Sequence, residues 1–373
     1  MRKTLLLGTL VLPALAACGA PTETSTEGAS LGRQSSAVQG GTTDTRRSDN
    51  FAVGIASRYG AICSGTLIAP NLVLTARHCV VPPAENEAVT CEDAFAANVK
   101  PSALFITTEP SLRGASKMYA AREITTPGDA SFCGNDIALI TLDENIPASE
   151  AKPATPVVQF SMTDRTKIGD EITAVGYGIT APNEKSSAGV RRIRQNIKIA
   201  CVPGDETNEC TGEYARMSDS DREFITEGWV CSGDSGSGAF EQASFQAGTP
   251  YVLGALSRGP QTDDRCLAAI YSRTDAHADL IIAAGKKAAK LGGYDAPEWV
   301  SPPAPASEDP ELGTVCEGDT CTSTDATEPE ATIITRTTTT GCSAATGQAS
   351  SGSLGAWALA AIAGVVVARR RRR

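Results

Sequence analysis

Three short stretches, far apart in the chain, carry residue types that could act together on an acyl group. His78 lies in Thr75-Ala76-Arg77-His78-Cys79-Val80, Asp136 sits in Asn135-Asp136-Ile137-Ala138-Leu139, and Ser235 falls in Cys231-Ser232-Gly233-Asp234-Ser235-Gly236. A serine hydroxyl is a weak nucleophile until a histidine takes its proton and a carboxylate fixes that histidine in the productive tautomer. The chain has two histidines, so a histidine base is His78 or His277. His277 stands in Ser272-Arg273-Thr274-Asp275-Ala276-His277-Ala278, without a neighbouring cysteine or strand pattern, and reads as a solvated residue near a helix start. His78 is the expected base.

Taken singly the motifs differ in weight. Glycine-rich turns are common, and an acid ahead of a strand is usually a solvated end. Thr-Ala-x-His-Cys is stronger, because the cysteine beside the histidine has a structural task. Together, in the order His, Asp, Ser, they resemble the trypsin–chymotrypsin family from Val38 to about Leu291. The resemblance implies an all-β fold of two six-stranded antiparallel β-barrels with a C-terminal α-helix. It also implies a serine endopeptidase working through an acyl-enzyme on polypeptide substrates. In that scheme Ser235 attacks, His78 takes and returns the proton, Asp136 orients His78, and the N–H groups of Gly233 and Ser235 form the oxyanion hole.

The resemblance extends to activation and specificity. Val38-Gln39-Gly40-Gly41 is similar to the family's mature N-terminus and lies forty residues ahead of His78. It implies a zymogen in which cleavage after Ala37 frees the Val38 ammonium to pair with Asp234. Ala37 is not basic, so a separate activating protease is expected. Trp229 stands where trypsin-type enzymes carry an acid at the pocket floor, so a preference for Lys or Arg is not implied; the tryptophan lines the pocket or packs inward. Leu256-Ser257-Arg258-Gly259 matches the strand that pairs with the substrate backbone, Ser257 and Gly259 fitting the pattern. Arg258 replaces the usual tryptophan, and either borders the cleft, favouring acidic or extended substrates, or points to solvent. Ala269, where glycine is frequent, would narrow the pocket toward small or medium apolar side chains.

The elements that must position these residues are short. Apolar, β-rich runs at 51–55, 62–68, 72–75, 103–107, 137–142, 171–177, 192–199, 251–256 and 267–271 are separated by turn residues, the pattern of an all-β sandwich or barrel pair. Residues 275–291, rich in Ala, Ile, Leu and Lys, read as the one convincing helix.

Twelve cysteines fit an oxidising compartment, and their spacing does not suggest a zinc site. With Cys18 and Cys342 assigned to targeting signals, ten remain for five bridges. The resemblance implies Cys63–Cys79 and Cys231–Cys266. Proximity and elimination then suggest Cys91–Cys133, Cys201–Cys210 and Cys316–Cys321, although sequence alone does not fix connectivity.

Residues 1–17 read as an export signal, with Met1-Arg2-Lys3 ahead of an apolar run. Leu15-Ala16-Ala17-Cys18 resembles a bacterial lipobox, which would lipidate Cys18; ordinary cleavage at Ala14-Leu15-Ala16 is the alternative. Residues 18–37 are small and polar, a pro-segment, and 38–294 form the protease-like domain. Residues 295–341, rich in Pro, Thr, Ser and Glu, read as a disordered stalk. The tail 342–373 joins Cys342 to an apolar run, 354–368, and five arginines. It resembles the C-terminal sorting signal of myxobacterial surface proteins, in which the tail is removed and the chain anchored at the cysteine; a permanent single-pass anchor is the alternative. Either reading holds the protein at a membrane, and together with the export signal places it at a bacterial outer membrane or cell surface.

The net charge of −10 offers no basic patch for nucleic acid. No metal, nucleotide or organic cofactor is implied, and acids such as those of Gly204-Asp205-Glu206 read as solvated turns. Two other functions stay open at this stage: a silent trypsin-fold binding or adhesion module, and an esterase using the same triad.

Overall fold

The computed structural model describes residues 38–82, 91, 93–217, 220–301, 315–317 and 320–322. The signal and pro-segment with Cys18, and the 342–373 tail with Cys342, lie outside the described residues.

Six strands, β1 (Ala52–Ser57), β2 (Ile62–Ala69), β3 (Leu72–Thr75), β4 (Leu104–Thr107), β5 (Tyr119–Thr125) and β6 (Ala138–Leu142), close one antiparallel barrel. Around it the order is β1-β2-β3-β6-β5-β4, with β4 pairing back to β1. Six more follow: β7 (Glu171–Gly176), β8 (Arg192–Cys201), β9 (Glu223–Glu227), β10 (Gly238–Glu241), β11 (Tyr251–Arg258) and β12 (Ala268–Arg273). They repeat the same order, β7-β8-β9-β12-β11-β10, and β10 pairs back to β7. Closure leaves no free sheet edge, and each interior fills with branched and aromatic side chains. Leu67, Leu72, Leu74, Ile106 and Ile140 are buried in the first cluster, and Ile172, Phe224, Leu253 and Tyr271 in the second. The expected fold class is therefore the one observed.

Among the described residues four bridges join Cys63 to Cys79, Cys91 to Cys133, Cys201 to Cys210 and Cys231 to Cys266, and the expected Cys316–Cys321 bridge lies outside the described side chains. Strands Val315–Glu317 and Thr320–Thr322 pair with Cys316 opposite Cys321, so the stretch read as a stalk contains a strand pair. Among the described residues no helix is long and apolar enough to cross a membrane.

The C-terminal helix departs from expectation at both ends. A 3-10 turn, Asp275–His277, precedes the α-helix Ala278–Gly292. Ile281, Ala284, Gly285, Ala288 and Ala289 form its buried face at helical spacing, and Gly293 closes it in the left-handed conformation. At Gly285 a side chain would stand 2.3 Å from the Trp299 ring, so the glycine admits the indole. Trp299 and Val300 are buried in the first core. Packing therefore continues past residue 294 to Val300, because an indole's apolar area outweighs the Pro- and Ala-rich composition around it.

Arg191 is the largest fully buried side chain and fastens the two halves together. Its Nη1 donates to Asn50 Oδ1 (3.0 Å) and the Thr108 carbonyl (3.2 Å), its Nη2 to the Arg46 carbonyl (2.7 Å), and Nε lies 3.2 Å from buried Asp44. Removing Arg191 leaves buried Asp44 with the half-exposed Arg46 as its remaining counter-charge, and takes the guanidinium donor from Asn50 and from the Thr108 and Arg46 carbonyls. Arg191→Met is therefore expected to cost about 3–5 kcal/mol of stability, measurable by urea unfolding. A loss below about 1 kcal/mol, the range of an exposed pair, would contradict the staple.

Candidate active site

His78 is carried by the short 3-10 turn Arg77–Val80 that follows β3. The Cys63–Cys79 bridge ties this turn to β2, and Thr75 Oγ1 donates to the Ser64 carbonyl (2.8 Å) at its entrance. Asp136 stands two residues ahead of β6, and β3 pairs with β6, so the sheet register brings histidine and acid together. The fully buried carboxylate accepts the His78 main-chain N–H (2.9 Å) at Oδ1, and His78 Nδ1 (2.8 Å) and Ser257 Oγ (2.6 Å) at Oδ2. Ser272 Oγ donates to the Asp136 carbonyl (2.9 Å). An ionised carboxylate only accepts, so Nδ1 carries the proton and Nε2 keeps its lone pair.

Burial alone would raise the Asp136 carboxyl, but the charge of His78 and the hydrogen bonds from His78 and Ser257 outweigh it and hold it below the usual range. Burial likewise disfavours the His78 imidazolium, and Asp136, by charge and hydrogen bond, overcomes this and raises His78 above 6.5. The side chain is 28% exposed, so solvent and substrate reach its outer edge. Phe132 stacks beside the imidazole with ring centroids 6.5 Å apart, and Phe95 lies against Phe132.

Ser235 follows Asp234 in a loop pinned to the strand behind His78. Its carbonyl accepts from Ser64 N (2.8 Å) and lies 3.6 Å from Cys79 Sγ, while the Gly233 carbonyl accepts from Ser64 Oγ (2.9 Å). Gly233 has φ +88°, which only glycine adopts without strain, and a side chain there would stand 2.9 Å from the Gly178 Cα. Among the described residues no acceptor is bonded to the main-chain N–H of Gly233 or Ser235, and the Ser235 hydroxyl has no hydrogen-bond partner. Such bonds are often long before substrate arrives.

Asp234 is buried beneath this loop. Its oxygens accept from Gly178 N (2.8 Å) and Cys231 N (3.0 Å), and the Val38 N–H also donates to it. Burial dominates these bonds and the more distant Arg192 charge, and pushes the carboxyl up to about 6. Val38 itself is fully buried in the second core.

Residues 38–281, more than half of the chain, match the trypsin family. The chain belongs to the trypsin family. Two relatives are phenoloxidase-activating factor 3 of Holotrichia diomphalia, 26% identical over 234 residues, and CLIP domain-containing serine protease B4 of Anopheles gambiae, 28% identical over 219. The matches take in 59% and 55% of this chain, and the chain spans only 62% and 56% of those relatives' own lengths.

Within this trypsin-family domain the remaining expected residues take definite places. Ser257 serves Asp136, as described above. Arg258, at the end of β11, neither points freely into solvent nor offers an unmatched charge: Nη1 and Nη2 bind the buried Glu223 carboxylate at 2.6 and 3.0 Å. Gly259 lies against the Ala268 carbonyl, and Ala269 is fully buried on β12 opposite Thr226. Trp229 is half-buried with φ +82°, and its ring carries the Arg194 guanidinium at 3.7 Å and Arg265 at 5.9 Å. Two cations rather than an acid therefore flank this tryptophan.

Two readings from sequence are overturned. His277 is not solvated: it is buried, its Nε2 bonded to the Gly134 carbonyl (2.8 Å), and burial lowers it to about 4, so it stays neutral. Asp205 is not a solvated turn residue either, being buried and paired with Arg165. Among the described residues the one grouping of metal-capable side chains is Cys63, Cys79 and His78, and its two sulfurs are bonded to each other.

Proposed function

We propose that this trypsin-family chain is an exported serine endopeptidase, made as a zymogen and displayed at a bacterial surface. The observation that carries the reading is the double grip of Asp136 on His78, at Nδ1 and at the main-chain N–H, in a site whose serine loop is bonded to the same strand. Ser235 Oγ attacks the scissile carbonyl as His78 Nε2 accepts its proton, and Asp136 stabilises the imidazolium. The open N–H groups of Gly233 and Ser235 receive the oxyanion, and each such donor is worth about 2.7–4 kcal/mol in the transition state. His78 then protonates the leaving amine, and water resolves the acyl-enzyme by the same steps in reverse. Four disulfides accord with an oxidising, extracellular setting. Anchoring through Cys18 or Cys342, and activation by a separate protease after Ala37, complete the proposal. A fluorophosphonate probe is expected to label Ser235 covalently in protein cleavedafter Ala37; intact labelling-resistant Ser235 in such protein would instead favour a silent module.

The pH profile follows from His78. Its base form must be neutral, and Asp136 raises its pKa above 6.5, so kcat/KM is expected to climb through a midpoint on the alkaline side of that value. The same linkage governs the ion pair's contribution to folding: it is full below about 6.5 and is lost as pH rises through the elevated pKa. A rate flat from about pH 5 to 9, across the whole imidazole range, would remove His78 from the mechanism.

A further inference from the structure

Gly134 lies two residues ahead of Asp136, and buried side chains hold both of its main-chain polar groups. Its N–H donates to Glu223 Oε1 (2.8 Å), and its carbonyl is bonded to His277 Nε2 (2.8 Å). The next residue is held as well, Arg222 Nη1 donating to Asn135 Oδ1 (3.0 Å). The same Glu223 carboxylate takes both terminal nitrogens of Arg258. Arg258 is the neighbour of Ser257, whose hydroxyl donates to Asp136 Oδ2 (2.6 Å), and Arg258 Nη1 lies 3.4 Å from that hydroxyl. One carboxylate therefore grips the loop that enters Asp136 and the strand that caps it.

Stability alone is a weak reason for such a group. Glu223 is fully buried on β9, and an apolar pair of similar volume is often at least as stable as a buried ion pair. We propose that Glu223 is a positioning residue for Asp136, fixing its carboxylate through Gly134 on one side and through Arg258 and Ser257 on the other. The proposal rests on the reading of Asp136 as the group that orients His78.

The test replaces the pair by apolar side chains, Glu223→Met with Arg258→Met, and follows the low-field proton resonance of His78 Nδ1–H together with melting temperature and kcat. The expected result is a melting temperature only slightly below that of wild type, since the apolar pair repacks while the Gly134 N–H loses its acceptor, a displaced or broadened resonance, and a loss of about tenfold or more in kcat, the scale of sub-ångström misplacement. Should that variant fail to fold, Glu223→Gln, which keeps an acceptor for Gly134 but weakens the hold on Arg258, is read the same way and is expected to shift the resonance less. A wild-type resonance and kcat in whichever folded variant is measured would overturn the proposal. The resonance does not depend on turnover. A wild-type protein without peptidase activity would therefore overturn the proposed function, while the resonance still decides the role of Glu223.

Discussion

Ser235→Ala is expected to lower kcat for peptide hydrolysis by about 10⁶-fold while leaving the melting temperature unchanged. The two halves of that expectation have separate causes. The hydroxyl has no hydrogen-bond partner among the described residues, so its removal breaks no hydrogen bond among them. The loop's own architecture, Ser64 bonded to the Gly233 and Ser235 carbonyls, is made by groups that the substitution leaves in place. Its chemistry, by contrast, has no substitute, since His78 Nε2 then has no nucleophile to deprotonate. His78→Ala should fall to a similar level, and the double variant should be little worse, because triad members act as a unit. Steady-state kinetics on a peptide substrate, with the single and double variants side by side, decide the matter. More than about a hundredth of wild-type kcat in Ser235→Ala, against losses of this scale, would show that another group attacks.

How much of this was legible in the chain depends on whether a residue's role is local. The triad could be read because its chemistry restricts residue type, and because each member sits in a short patterned stretch. Strands such as Ile62–Ala69 and Ala138–Leu142 could be read because continuous apolar runs have few other destinations. Three barrel strands were hidden. Tyr119–Thr125 carries Arg122 and Glu123, Glu223–Glu227 begins and ends in acids, and Gly238–Glu241 is four residues long behind a glycine-rich loop. Each is held as a strand by neighbours distant in sequence rather than by its own pattern.

The supporting groups were hidden for the same reason. Glu223 becomes buried only because Arg258 and the Gly134 N–H reach it from two other segments. Nothing beside His277 in sequence announces a partner 143 residues away at Gly134. Sequence alone leaves Arg258 at cleft wall or solvent, and its partner Glu223 lies on a strand that carries no pattern of its own. Cysteine pairing fared better. Two bridges came with the family resemblance, and nearest-neighbour elimination supplied Cys91–Cys133 and Cys201–Cys210.

The second large effect concerns Asp234. Its carboxyl lies at about 6 against an ordinary 3.8, so the folded protein holds that proton more tightly than the unfolded chain does. The stabilisation is full below 3.8 and is lost as pH rises through about 6. The buried carboxylate left at neutral pH therefore costs about 3 kcal/mol, at 1.36 kcal/mol for each tenfold change in proton affinity. That cost is already net of the hydrogen bond from the Val38 amide; a free ammonium there would offset far more of it, because opposite charges in a buried site attract strongly. Cleavage after Ala37 is accordingly expected to raise the melting temperature near neutral pH, with the gain shrinking toward about pH 4, where an ordinary aspartate takes up its proton. Asp234→Asn should cancel that pH-dependent gain and lower kcat/KM by about 10²–10³-fold, the scale of losing an oxyanion donor, because the loop presenting Gly233 and Ser235 is then no longer held by the charge pair. N-terminal sequencing of the active protein, with calorimetry of cleaved and uncleaved forms across pH, provides the check. Active protein that begins at Cys18, or full activity in Asp234→Asn, would show that no such switch operates.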